Sequence, residues 1–287
     1  MMLLHIASFL EGVCGERVSR VSVLRPHDAR ILTSFRMQPL LISRLNTSAI
    51  LSLVALCVRP SSAAVPASNS ATLPPAGEIY CSFVAAIGHV VRHRKDHLVT
   101  LFPSLMAVVS AFLSILRRAG FGSLGNSTSL DDTETAVNVG QRAEREAKGS
   151  FPAWIWTGGL HAIGKTEAKA LGRLLGSLGS KTTSTGGSRR KHLATDDAAS
   201  TTSLIAPLSK HAPFLLLNYL RACVHSTCPI PSALRSELQG GWFEVMDAMG
   251  KWEREALMKG LLGEEEEAER GILRSMWAAW EKERYRG

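Results

Sequence analysis

The chain has 287 residues, of which 45% are apolar, and carries a net charge of +8 with a pI near 9.5. That is enough apolar material for the core of one or two domains, which excludes a wholly disordered polypeptide, and the positive balance points to an acidic partner, nucleic acid above all. Five scattered cysteines (Cys14, Cys57, Cys81, Cys223, Cys228) with no Cys-x-x-Cys exclude a disulfide framework and place the chain in a reducing compartment.

Residues 1–60 read as an N-terminal segment with helical potential, broken at Pro26 in SRVSVLRPHDAR. The apolar run Leu40–Val58 imitates a signal peptide read from Met37. It begins too far from Met1 for that, and Arg44 and Asn46 interrupt it too early for a membrane span. The expectation is a buried helix with Leu41, Leu45, Ile50, Leu53 and Leu56 on one face. Residues 61–77, rich in Pro, Ser and Ala, form a linker.

Residues 78–121 predict a helical hairpin. Ile79, Phe83, Val84, Ile87, Val90 and Val91 recur at helical spacing, RHRKDH interrupts, and Leu98 to Leu116 resume the pattern up to Arg117, Arg118 and Gly120. Pro103 fits if it lies in the first turn of the second helix. Residues 122–150 are a polar, flexible insertion. Residues 151–179 form a short helical segment with Ala168, Leu171, Leu174, Leu175 and Leu178 on one face and Thr166 as N-cap. Residues 180–201 are a second flexible insertion holding the basic knot Arg189, Arg190 and Lys191.

Residues 202–287 are a C-terminal helical module with four of the six tryptophans. Helices are expected at Leu204–Val224, Ser232–Leu238 (Ser232 as N-cap), Gly241–Met249, Lys251–Leu262 and Glu264–Tyr285. From Thr202 onward 11 Lys and Arg meet 12 Asp and Glu, so residues 1–201 carry +9 and the module is near neutral. No strand-type alternation of useful length occurs, and the fold class is all-α.

His89, His93 and His97 stand at i, i+4, i+8, where one continuous helix could aim three imidazoles at zinc; a basic surface for phosphate, or helix-end capping, are the other readings. Neighbouring Arg92, Arg94 and Lys95 oppose a divalent cation. Cys223, His225 and Cys228, with His211, lack the paired knuckles of a zinc finger and fit a helix-ending loop with small buried thiols. Gly164-Lys165-Thr166 lacks the glycine spacing and preceding strand of a phosphate loop and reads as a helix start. No catalytic constellation stands out, so a non-catalytic protein without cofactor, metal or small-molecule substrate is expected, and no membrane contact. The candidate phosphate contacts are Arg92, His93, Arg94, Lys95, Arg117, Arg118, Arg189, Arg190 and Lys191. Trp242, Phe243, Trp277 and Trp280 are candidate core or interface anchors.

KHAPFLLLNYL, IPSALRSELQGGWFEVMDAM and RGILRSMWAAWEKERYR together resemble the C-terminal domain of the unhealthy ribosome biogenesis, or nucleolar pre-ribosomal RNA processing, family. RHRKDHLVTLFPSLMAVVSAFLSIL and AKALGRLLGSL are similar to upstream parts of that family. The resemblance covers residues 210–287 well, 79–121 and 166–178 in part, and neither the polar insertions nor the first 60 residues. It implies a nucleolar, non-catalytic assembly factor of the large ribosomal subunit, built as a solenoid-like α-helical repeat scaffold. The implied partners are pre-ribosomal RNA and large-subunit assembly factors. The chain is much shorter than that family implies, so a fragment, a truncated gene model or a reduced relative of the scaffold is expected. A generic α-helical protein-interaction module without an RNA role is the alternative.

Overall fold

The computed structural model describes residues 44–60, 75–120, 151–156, 163–179, 204–260 and 266–284, and every regular element among them is helical. In chain order these are α1 (Arg44–Cys57), α2 (Ala76–His93), α3 (Lys95–Leu116), a 3-10 turn (Arg117–Gly120), a second 3-10 turn (Ala153–Trp156), α4 (Lys165–Gly179), α5 (Ile205–Cys223), α6 (Ser232–Ala248), α7 (Lys251–Gly260) and α8 (Glu267–Arg284). The fold is all-α.

The periodic positions of α2, α3 and α4 are the buried ones, Leu101 alone being only partly covered. Arg94, at φ −135° and ψ 42°, separates α2 from α3. The two helices run back alongside each other, because Tyr80 in α2 meets Phe112 in α3 edge to face at 5.4 Å and donates its hydroxyl to the Phe112 carbonyl at 3.3 Å. Pro103 lies in the interior of α3 and not in its first turn. The carbonyl that it leaves without an amide donor is that of Val99, and both residues face solvent, where water can reach it.

In α1 the buried face is Thr47, Ile50, Leu51, Val54, Cys57 and Val58, whereas Leu53 is only partly covered and Leu56 is 47% exposed. Apolar residues surround this helix, so spacing offers two stripes, and packing against α3 selects the one with smaller side chains. Leu41 and the side chain of Leu45 lie outside the described residues. The end of α1 is closed from a distance: Trp154 donates its indole N–H to the Cys57 carbonyl at 2.8 Å, supplying a partner to one of the terminal carbonyls that no intrahelical amide reaches.

Two expected caps are displaced. Residue Gly164 precedes α4, and its amide donates to the Glu167 carboxylate at 2.7 Å, so the third helical residue caps the helix and Thr166 sits inside it. Pro231 precedes α6 and makes Ser232 the first helical residue. The expected break between Leu238 and Gly241 is absent: α6 runs unbroken through Gly240 and Gly241.

That continuity has a packing reason. Among the described helices the most extensive seam is α4 against α6, and its backbones touch. A Cβ on Gly172 would lie 2.8 Å from the Glu237 carbonyl oxygen, and one on Gly241 would press against the Gly172 carbonyl. Glycines here let two helices approach closely, and the flanking Leu171, Leu175, Leu238, Trp242 and Val245 bury themselves around the contact. The helices of the C-terminal module pack on those before it: α6 covers α4, α5 covers α3, and buried side chains from α1 to α8 form one cluster. Segment Lys95–Gly120 is long and apolar enough to cross a membrane, but ten residues of α3 are buried, as in a core helix.

Candidate functional site

The cationic candidates gather first at the joint between α2 and α3. Arg92 and His93 are exposed on the last turn of α2, with the Arg92 Nε donating to the Gly88 carbonyl at 3.1 Å, and Arg94 and Lys95 are partly exposed. Positive side chains at a helix C-terminus sit well with the helix dipole and need no further partner. The joint also separates the histidines: His97 lies on α3, 3.2 Å from the Asp96 carboxylate, while His89 and His93 lie side by side on α2, their rings tilted at 44° with centroids 4.3 Å apart. Three imidazoles on one helical face, the geometry a zinc site would need, do not occur. His89 is buried, and that burial, with His93 and Arg92 beside it, holds its imidazole below the ordinary range.

Arg117 does something else. Its Nε donates to the Cys228 carbonyl at 3.3 Å, its guanidinium lies 5.8 Å from the Phe151 ring, and burial depresses its pKa. It ties the end of α3 to the loop after α5, a structural role that competes with phosphate contact. Arg118 is partly exposed on the same turn. Arg189, Arg190 and Lys191 lie outside the described residues.

Helix α4 adds cations that the sequence reading passed over. Lys165, Lys169 and Arg173 are all exposed at i, i+4, i+8, a straight basic stripe on the face opposite Leu171 and Leu175. The i, i+4, i+8 spacing is itself the sequence signal for this stripe. Gly77 lies against Glu167 and Gly88 against Leu174, so α2 and α4 run in the same direction. Arg173 is thereby carried toward the end of α2 where Arg92 and His93 stand. Exposed cations thus stand on α4 and at the end of α2, with Glu78, Asp96 and Glu167 among them.

The aromatic candidates divide. Trp242 is fully buried with its ring 4.6 Å from Tyr219, and Phe243 is buried beside it; both are core. Trp277 and Trp280 are partly exposed, 5.2 Å apart, with the Arg254 guanidinium 5.8 and 5.6 Å from their ring centres. Trp280 donates to Asp247 at 2.9 Å and Trp277 to Glu281 at 2.8 Å. The side chains that stand out are Trp252, 78% exposed, and Phe214, 68% exposed.

The thiols are structural. Cys223 and Cys228 are buried, and burial pushes the Cys223 thiol up to about 11, away from the thiolate that a metal would require. The imidazole of His225 is held low by burial and by Arg117, and its Nδ1 lies 3.3 Å from the Thr227 amide. Among the described residues no group of three or more His, Cys, Asp and Glu could hold a metal ion.

Fold and surface together define an all-α protein with exposed cations on α2 and α4 and exposed aromatics on α5 and α7. Its sequence places it further: the model of the Urb2/Npa2 family matches residues 29–287, and the chain belongs to that family, which is involved in ribosome biogenesis. The match extends through residues 29–60 and through both polar stretches, where the residues quoted above show no resemblance. No curated protein and no solved structure matches the chain.

Proposed function

We propose that this protein is a non-catalytic nucleolar assembly factor of the large ribosomal subunit, acting in pre-ribosomal RNA processing as a solenoid-like helical scaffold inside pre-ribosomal particles. The family match over residues 29–287 carries the reading. The surface supports it. Arg92, Lys95, Lys165, Lys169 and Arg173 form a sequence-indifferent phosphate-binding face, and the near-neutral α5–α8 half offers a protein-facing surface. Nucleus and nucleolus are the locations that this role requires.

Removing residues 202–287 would strip α4 and α3 of their packing partners, so the test keeps the whole chain. Tagged full-length protein is recovered from growing cells beside a variant with Arg92, Lys95, Lys169 and Arg173 changed to Gln. Large-subunit precursor RNA and assembly factors should copurify with the first, and the RNA should be depleted with the second. If neither RNA nor assembly factors are enriched over mature ribosomes, the reading is wrong.

The second reading, a helical protein-interaction module without an RNA role, draws on exposed Trp252 and Phe214. A salt titration of RNA binding separates the two, since only counterion release gives a steep linear fall of affinity with salt.

A further inference from the structure

Between α5, α6 and α8 lies an open groove of about 370 Å³ whose wall is unlike the core beneath it. One side is a polar row on α6: Ser232, Arg235, Ser236 and Gln239, at the i, i+3, i+4, i+7 spacing that puts them on one face. Ser275 of α8 joins them, and the remainder of the wall is apolar, from Tyr219, Ile272 and Met276. Among the described residues no carboxylate lines the groove. Among the described residues Arg235 has no ion pair, and its Nε–H is buried without an acceptor. The arginine stays close enough to Tyr219 and Cys223 for its charge to oppose the rise that burial imposes on both.

A buried guanidinium N–H without an acceptor costs free energy, and the group that relieves it must be an acceptor, best an anionic one. A run of RNA phosphates calls for several cations in line; here there is one, with hydroxyls beside it and an apolar floor. That combination fits a single carboxylate next to an aliphatic side chain.

We propose that this groove is a docking pocket for an acidic peptide segment of a protein partner, with Arg235 pairing a Glu or Asp carboxylate, Ser236 and Ser275 assisting, and Ile272 and Met276 receiving the adjacent apolar residue. The assignment rests on the reading of the α5–α8 half as a protein-facing surface and names the chemistry of what it faces.

The probe is a degenerate dodecapeptide pool with a fixed central Glu-Leu pair, fluorescently labelled and titrated with the full-length chain, against an identical pool with Gln-Leu. The Glu pool should bind about tenfold more tightly, and Arg235→Gln should erase the difference. Ser236→Glu, an exposed substitution that leaves the packing untouched and offers Arg235 an internal carboxylate, should abolish binding with an unchanged circular dichroism spectrum. Equal binding of the two pools, indifference to Ser236→Glu, or displacement of the peptide by a twelve-nucleotide RNA would each overturn the proposal. Particle association distinguishes its failure from that of the broader reading. If the pools bind equally while the full-length chain still recovers assembly factors, only the pocket is lost; if it recovers none, the broader reading falls as well.

Discussion

Substituting Gly241 by Ala tests the seam on which the fold depends. Alanine in the interior of a helix is favoured over glycine by about 1 kcal/mol, so propensity alone predicts stabilisation. The structure predicts the reverse, because the new methyl would press on the Gly172 carbonyl oxygen of α4, a backbone atom with no rotamer to move. Relieving such a contact means separating α4 from α6 along a row of buried leucines, and overpacking of this kind costs about 1–3 kcal/mol. With no side chain able to give way the upper end applies, and after the propensity gain a net loss of about 2 kcal/mol remains. For a domain of this size that lowers the melting temperature by about 4–8 °C. The neighbouring Gly240 supplies the control. It is exposed, a Cβ there meets nothing within 4 Å, and Gly240→Ala should raise stability by about 0.5–1 kcal/mol. Differential scanning fluorimetry on the pair decides the matter. If both substitutions raise the melting temperature, α4 and α6 do not make backbone contact and the seam is misplaced.

Other consequences can be measured in the same way. Trp154→Phe keeps most of the buried ring but removes the 2.8 Å bond to the Cys57 carbonyl, and urea unfolding should show a loss of about 1–3 kcal/mol. Asp247→Asn removes the charge paired with Arg284 in α8; amide exchange in α8 should quicken while α4 is unaffected, and the effect should shrink in high salt. Burial holds His89 below its ordinary 6.5, so on acidification through that window the unfolded chain binds a proton that the folded chain does not, and stability falls as pH drops. The difference in urea midpoint between about pH 7.5 and about pH 5.5 should therefore be smaller in His89→Gln than in the parent chain. Arg92→Gln with Arg173→Gln should lower the salt dependence of RNA binding by about two phosphate contacts, while Arg117→Gln should reduce stability more than RNA affinity.

Much of the fold was legible from spacing alone. The leucines, isoleucines, valines and phenylalanines of α2, α3 and α4 recur at three and four residues, and a helix with one apolar stripe has a single way to bury it. The fold class follows from the same spacing, whereas the family resemblance lies mainly in residues 210–287. Sequence left open the places where two local choices were equal in energy or where a partner outside the window intervened. Apolar on all sides, α1 could present either stripe, and only α3 selected Val54 over Leu56. Gly240-Gly241 looks like a helix break until Gly172 lies opposite and makes glycine the residue that the position requires. Arg117 and Arg173 are both cations on a helix, and nothing in their neighbours tells that one braces a loop while the other faces solvent. Local periodicity is encoded within a few residues of each position. Which face, which glycine and which charge meet across the core is a long-range property, decided only when α4 docks on α6 and α3 on α5.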